Sequence, residues 1–297
     1  MRSSSHRVTC FPFLAWAESG VSEASAAAFA SFEQKWLAAQ PENAFVAIFL
    51  PADQRQRASA FGSLVHELEQ TAFHVREPQV AATKLAWWRQ ELAAAAAGNA
   101  RHPISKVLFA DRQAQAVDPN LWPAMAEGAS FQIESATAAS VSESREQRAP
   151  FYVAIARVEQ ALFPGSADNF RSTAALWTIS HLLRELAAPD RLESTLPLDL
   201  LARHGATRAG VAAATTLRTA VLKDYLQALI APMRNALADG QPPSLSRRVR
   251  TRLDLALATG AQRATDPLAY LTARTPAGRW PSLLAAWREA RVMARGR

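Results

Sequence analysis

Glu67 and Glu69 lie two residues apart in an apolar stretch, and Glu185 and Asp190 close a second helical stretch more than a hundred residues later. Two helices that each offer carboxylates to a shared interior make an oxygen-rich site of the kind magnesium takes, and magnesium bridges readily to a diphosphate. Arg55 and Arg184 belong with them, because a guanidinium grips phosphate oxygens in a bidentate way with or without a metal. The same residues have a structural reading, in which the acids lie on solvated faces or pair with Arg55, Arg57 and Arg184. His66, His74 and His181 add titratable rings, open to acid–base work or to plain packing, and the eight-residue separation of the first two puts them near one helical face. Trp87, Trp88 and Trp177 could turn π faces toward a cation in a cavity, or pack as core residues.

The elements that must position these residues are helices. Alanine, leucine, glutamate and arginine dominate, β-branched runs are scarce, and apolar residues recur at helical spacing, so no sheet is expected. Ser22 or Ser25 caps a helix to about Gln40. Pro51 opens a long helix whose stripe of Phe61, Leu64, Val65, Leu68, Ala72 and Val75 carries Glu67 and Glu69, with Pro78 at its end. Helices are predicted over Val80–Ala97, Pro103–Ala116 and Leu121–Ile133, then over Ala138–Phe163, interrupted or bent at Pro150, and over Asp168–Ala187 with Glu185 near its end. A loop over 188–195 leads into a short helix to His204. A long helix over Arg208–Ala238, one capped by Ser244 and running to about Gly260, and a last one from Gly278 with Trp280, Leu284 and Trp287 complete the chain.

Composition narrows the choice further. A chain of 297 residues, 49% of them hydrophobic, can bury one large core, and a single soluble domain over residues 21–297 is expected behind an N-terminal segment, 1–20, of flexible character. The lone Cys10 excludes a disulfide framework and cysteine-based zinc. No apolar run reaches the roughly 20 residues a bilayer span needs, and the N-terminus lacks a signal-peptide core, so the cytoplasm is the expected compartment. The charge of +7 is carried largely by arginine, which clusters at Arg247, Arg248, Arg250 and Arg252 and again at Arg288, Arg291, Arg295 and Arg297. Such clusters are solvated helix faces or surfaces for phosphates and acidic lipid headgroups, the latter implying peripheral association with the inner face of a membrane. No aromatic interleaving or known module points to nucleic acid, and no glycine-rich phosphate loop, nucleophile elbow or dinucleotide fingerprint is present, so no nucleotide cofactor is expected.

The order of local motifs resembles the squalene and phytoene synthases of the isoprenoid synthase superfamily. Phe49, Leu50 and Pro51, then Arg55, then Ala60 and Phe61, then His66 to Glu69 follow that family's leucine-proline step, arginine and aromatic helix leading to an aspartate-rich motif. About sixteen residues on come Leu85 to Leu92, with Trp87, Trp88 and Glu91, and then the pair His102 and Pro103. Ser180 to Glu185 stands where the second aspartate motif would be, and Leu196 with Pro197 supplies the following step. The resemblance implies an all-α bundle around a central cavity. It further implies head-to-head condensation of two prenyl diphosphates, with magnesium neutralising the leaving diphosphate while apolar walls shield a carbocation.

This sequence departs from the pattern at the acids themselves. Glu69 replaces the leading aspartate of the first motif, Gln70 its neighbour, Phe73 the closing aspartate and His66 the usual preceding arginine. In the second motif Glu185 replaces the first aspartate, and Pro189 or Asp190 falls on the closing position. The ligands the resemblance implies for magnesium are then Glu69, Glu185 and Asp190, an incomplete set. Arg55, Arg184, His66, His181, Phe73 and Trp177 are the positions implied to meet substrate, with Glu69 and Glu185 the catalytic candidates. The chain is similar in these losses to the complex I assembly factor branch, which keeps the leucine-proline and tryptophan segments without intact aspartate motifs. Two expectations follow: a non-catalytic binder of an isoprenoid, another lipid or a protein partner, or a prenyltransferase working with fewer metals.

Overall fold

The structure, a computed structural model, describes residues 23–133, 137–164, 169–188 and 191–295. Among them there is no strand. The elements follow in the order α1 (Glu23–Ala39), α2 (Glu42–Val46), a 3-10 turn (Ala47–Phe49), α3 (Ala52–His74), α4 (Pro78–Ala96), α5 (Pro103–Phe109), α6 (Arg112–Gln115), α7 (Leu121–Ser130), α8 (Val141–Leu162), α9 (Phe170–Leu186), α10 (Leu192–Thr195), α11 (Leu198–Arg203), α12 (Arg208–Ala213), α13 (Thr215–Asp239), α14 (Leu245–Arg263), α15 (Pro267–Arg274) and α16 (Arg279–Arg295). The N-terminal segment 1–20 lies outside the described residues.

Local chemistry sets most of these boundaries. Proline occupies the first turn of α4, α5 and α15, where its missing N–H costs nothing. Ser140 and Ser244 cap α8 and α14 through side-chain oxygens that accept from Glu143 and Arg247 backbone N–H groups. The predicted helix over Pro103–Ala116 is divided, because Asp111 turns extended and accepts from the N–H groups of Gln113 and Ala114, starting α6 afresh. The predicted helix over Arg208–Ala238 is divided too, at Ala214, whose extended backbone separates α12 from α13. The stretch expected as a loop contains the turn α10, and α15 is an element the sequence reading did not anticipate. α8 passes through Pro150 as one helix.

Two large apolar clusters share the interior. The first joins α3, α4, α5, α7 and α8 through residues such as Leu64, Leu68, Leu85, Trp122, Phe151 and Ile155. The second joins α9, α11, α13 and α14 through Ile179, Leu183, Leu200, Leu222, Leu226 and Ala258. α9 divides its faces between them, giving Ala174 and Trp177 to the first and Leu176, Ile179 and Leu183 to the second. The acids and arginines of interest lie along the seam that α3, α8, α9 and α14 form there.

Candidate functional site

Glu69 sits in the middle of the apolar face of α3 and is buried. Its Oε1 accepts two hydrogen bonds, from Tyr152 Oη at 2.9 Å and from Arg184 Nη2 at 2.9 Å. Burial pushes this carboxyl up, but Arg184, His181 and the two hydrogen bonds outweigh that and hold it below the usual glutamate range. Glu69 is therefore an anion with its partners already in place. The same Glu69 raises the phenol of the fully buried Tyr152 well above its ordinary value, adding to the effect of burial.

Glu185, one turn from His181 on α9, is engaged from the other side. Arg148 Nη2 of α8 reaches its Oε2 at 2.9 Å, while Arg191 Nη1 and His181 Nε2 stand 3.9 and 3.4 Å from its Oε1. Burial opposes the charged form, and His181 with Arg148 more than reverses it, so the carboxyl lies far below its ordinary range. The Phe73 ring packs on the His181 ring with centroids 4.1 Å apart. Arg191 Nη1 also donates to the Phe73 carbonyl at 3.0 Å, tying the end of α3 to the segment after α9. His66 is buried on the turn before Glu69, and burial lowers its pKa despite the neighbouring Glu69 and Glu67. His74 is exposed. Asp190 lies outside the described residues, among which no group of three or more His, Cys, Asp and Glu side chains is arranged to hold a metal ion.

The seam continues into α14. Trp177 Nε1 donates to Glu159 Oε2 at 2.6 Å, Ser244 Oγ donates to the other oxygen, and the Arg247 guanidinium lies 3.8 Å over the Trp177 ring. Glu159 is pushed up by burial, and burial lowers Arg247 to about 10, each partly offset by the other's charge. One turn on, Arg250 pairs at 2.9 Å with both Glu42 of α2 and Asp254. The void bordered by Trp36, Phe61, Glu159, Trp177, Ser244 and Arg247 measures about 30 Å³, room for a water or two rather than for a prenyl chain. A larger open groove of about 600 Å³ runs between α4 and α7, lined by Ala82, Leu85, Ala86, Arg89, Phe131 and others.

Several sequence-selected residues are elsewhere. Arg55 is exposed, donates to the Leu50 carbonyl at 3.2 Å, and stands fourteen residues before Glu69, about 21 Å along α3. It does not share a site with Arg184. Trp87 is exposed, whereas Trp88 is buried against the His102 ring. Glu91 accepts from the N–H groups of Arg101 and His102 at 2.9 and 2.8 Å, and His102 Nδ1 in turn accepts from Ile104 N–H. The tryptophan segment and the His-Pro pair thus form one lock that starts α5. Sequence reasoning did not select Arg148, Tyr152 and Glu159 of α8, Glu42, or Arg250 and Asp254. Arg247 and Arg250, expected on a solvated or phosphate-facing surface, are both buried and turned inward. A signal existed in the i, i+4, i+11 spacing of Arg148, Tyr152 and Glu159, a polar stripe inside an otherwise apolar helix face.

No family model matches the sequence, and no curated protein matches it. Solved structures do. A squalene synthase from Alicyclobacillus acidocaldarius aligns over 86% of this chain and 96% of its own, with a TM-score of 0.59 at 19% identity. A dehydrosqualene synthase in complex with ligand aligns over 92% of this chain and 99% of its own, with a TM-score of 0.68 at 11% identity. At such identities the likeness is one of architecture, and the chain has the all-α fold of the squalene and dehydrosqualene synthases.

Proposed function

We propose that this protein uses the synthase scaffold to bind, holding an isoprenoid, another lipid or a protein partner, and does not ionise a prenyl diphosphate. The observation that carries this reading is the buried ion pair of Glu69 with Arg184 at 2.9 Å, in the middle of what would be the acidic motif. A divalent cation at that carboxylate would have to compete with the Arg184 guanidinium and the Tyr152 hydroxyl already held on Oε1. Glu185 is in the same position with Arg148, and Phe73 offers no donor. The described donor set therefore does not fit magnesium. The groove between α4 and α7 has the volume and apolar lining for part of a hydrocarbon chain.

The second reading, a magnesium-dependent prenyltransferase that condenses two prenyl diphosphates head to head, draws its support from the names of the two similar structures. Incubating the full chain with farnesyl or geranylgeranyl diphosphate and magnesium separates the two. The expected result is no diphosphate release above the protein-free control, alongside saturable binding of a prenyl ligand or lipid. Release of diphosphate with a condensed hydrocarbon product, abolished in Glu185→Gln, would overturn the binding reading.

A further inference from the structure

α16 has two unlike faces. Ser282, Ala285, Ala286 and Glu289 are buried against α2, α14 and the 3-10 turn. Trp280, Leu284, Trp287 and Arg291, at spacings of four, three and four residues, form one stripe on the opposite side, where Trp280 is 81% and Trp287 43% exposed. Arg279, Arg288, Arg291 and Arg295 are all exposed around that stripe, and the Arg291 guanidinium lies 4.8 Å over the Trp287 ring. Glu289, the acid of this helix, faces inward and is paired with Arg252, so the outer face carries no carboxylate. Ile48, 61% exposed, projects from the 3-10 turn that packs against α16.

Single exposed apolar residues are ordinary, but two indoles on one stripe, ringed by guanidiniums and free of acids, match a specific environment. Indole rings favour the boundary between water and hydrocarbon, where the ring is sheltered and its N–H stays wet. Arginine lays its stem along the apolar surface and carries its charge to an anionic headgroup. A second copy of the chain is a poor occupant, because two-fold pairing of this face would set guanidiniums against guanidiniums. We propose that the outer face of α16 docks the protein on an anionic lipid bilayer, with Trp280, Leu284 and Trp287 entering the interface and the four arginines engaging headgroup phosphates. This holds whatever the interior binds.

Flotation of the full chain with vesicles tests it, using phosphatidylcholine alone and phosphatidylcholine mixed with phosphatidylglycerol. The chain should float with the mixed vesicles, weakly with the neutral ones, and less at high salt. Trp280→Ala with Trp287→Ala should cut partitioning by about tenfold, and Arg288→Gln with Arg291→Gln should remove the preference for the anionic lipid. The two pairs are tested separately, so a folding defect in one leaves the other decisive, and an unchanged circular dichroism melt certifies each. No flotation of the parent chain, or flotation of both variants equal to the parent's on both kinds of vesicle, would overturn the proposal. So would parent chains that dimerise in solution through this face, with the tryptophan variant monomeric and vesicle binding unaltered.

Discussion

Glu69 shows how a residue selected for chemistry can be spent on structure. In an acid-rich catalytic site, like charges repel one another and neutralising one of them tends to stabilise the fold at the expense of function. In a buried pair the sign is reversed, because removing the anion strands a guanidinium in a poor solvent. The Arg184 side chain keeps 21% of its exposure, so the penalty is smaller than for a fully enclosed charge. Glu69→Gln keeps an oxygen for the Tyr152 hydroxyl and is expected to cost about 2 kcal/mol. Urea unfolding should show this as a lower midpoint at unchanged slope, with Arg184→Gln on top of it costing less than the two single losses added together. A Glu69→Gln variant more stable than the parent would restore the catalytic reading of the acid.

Helix by helix, the sequence was legible at several points where termination has its own chemistry. Pro51, Pro103 and the cap at Ser244 coincide with the helix starts expected there, and Pro78, expected as the end of α3, opens α4; Pro267, which opens α15, went unused as a signal. The break at Ala214 was not legible, since alanine favours continuing a helix, and the one at Asp111 rests on a local N-cap inside a stretch that otherwise reads as continuous. The polar seam was half legible: each helix shows its charged stripe, but which helices face one another is a property of packing. That packing is tight where α7 crosses α8. A Cβ on Gly128 would lie 2.7 Å from the Phe151 Cα and 2.8 Å from the Pro150 carbonyl oxygen, both backbone atoms with no side chain to move aside. Gly128→Ala gains about 1 kcal/mol of helix propensity, yet prising the two helices apart should leave it about 2 kcal/mol less stable overall. Thermal unfolding checks this, and a variant as stable as the parent would mean that the crossing is looser than the structure has it.

Across the whole molecule, the buried titratable groups fix how stability responds to acid. Burial holds His66 and His102 below their ordinary value of 6.5. Both are neutral in either state above that pH; below it the unfolded chain takes up protons that the folded one refuses, so stability falls as pH drops. Glu159 works against this trend, because burial raises it above 4.5 and the folded state binds its proton first. Below about 4.5 the lowered carboxyls of Glu69 and Glu185 take over, and their ion pairs are lost as pH falls toward their folded values. The melting temperature should therefore decline between pH 7 and pH 5, then more steeply under more acidic conditions. Glu159→Gln removes the opposing contribution and should make stability fall more steeply as pH drops toward 4.5, whereas His66→Gln should flatten the decline below 6.5. A melting temperature that is constant from pH 7 to 5 in the parent, or a Glu159→Gln variant with a shallower decline, would mean that these groups titrate in the fold as they do in the open chain.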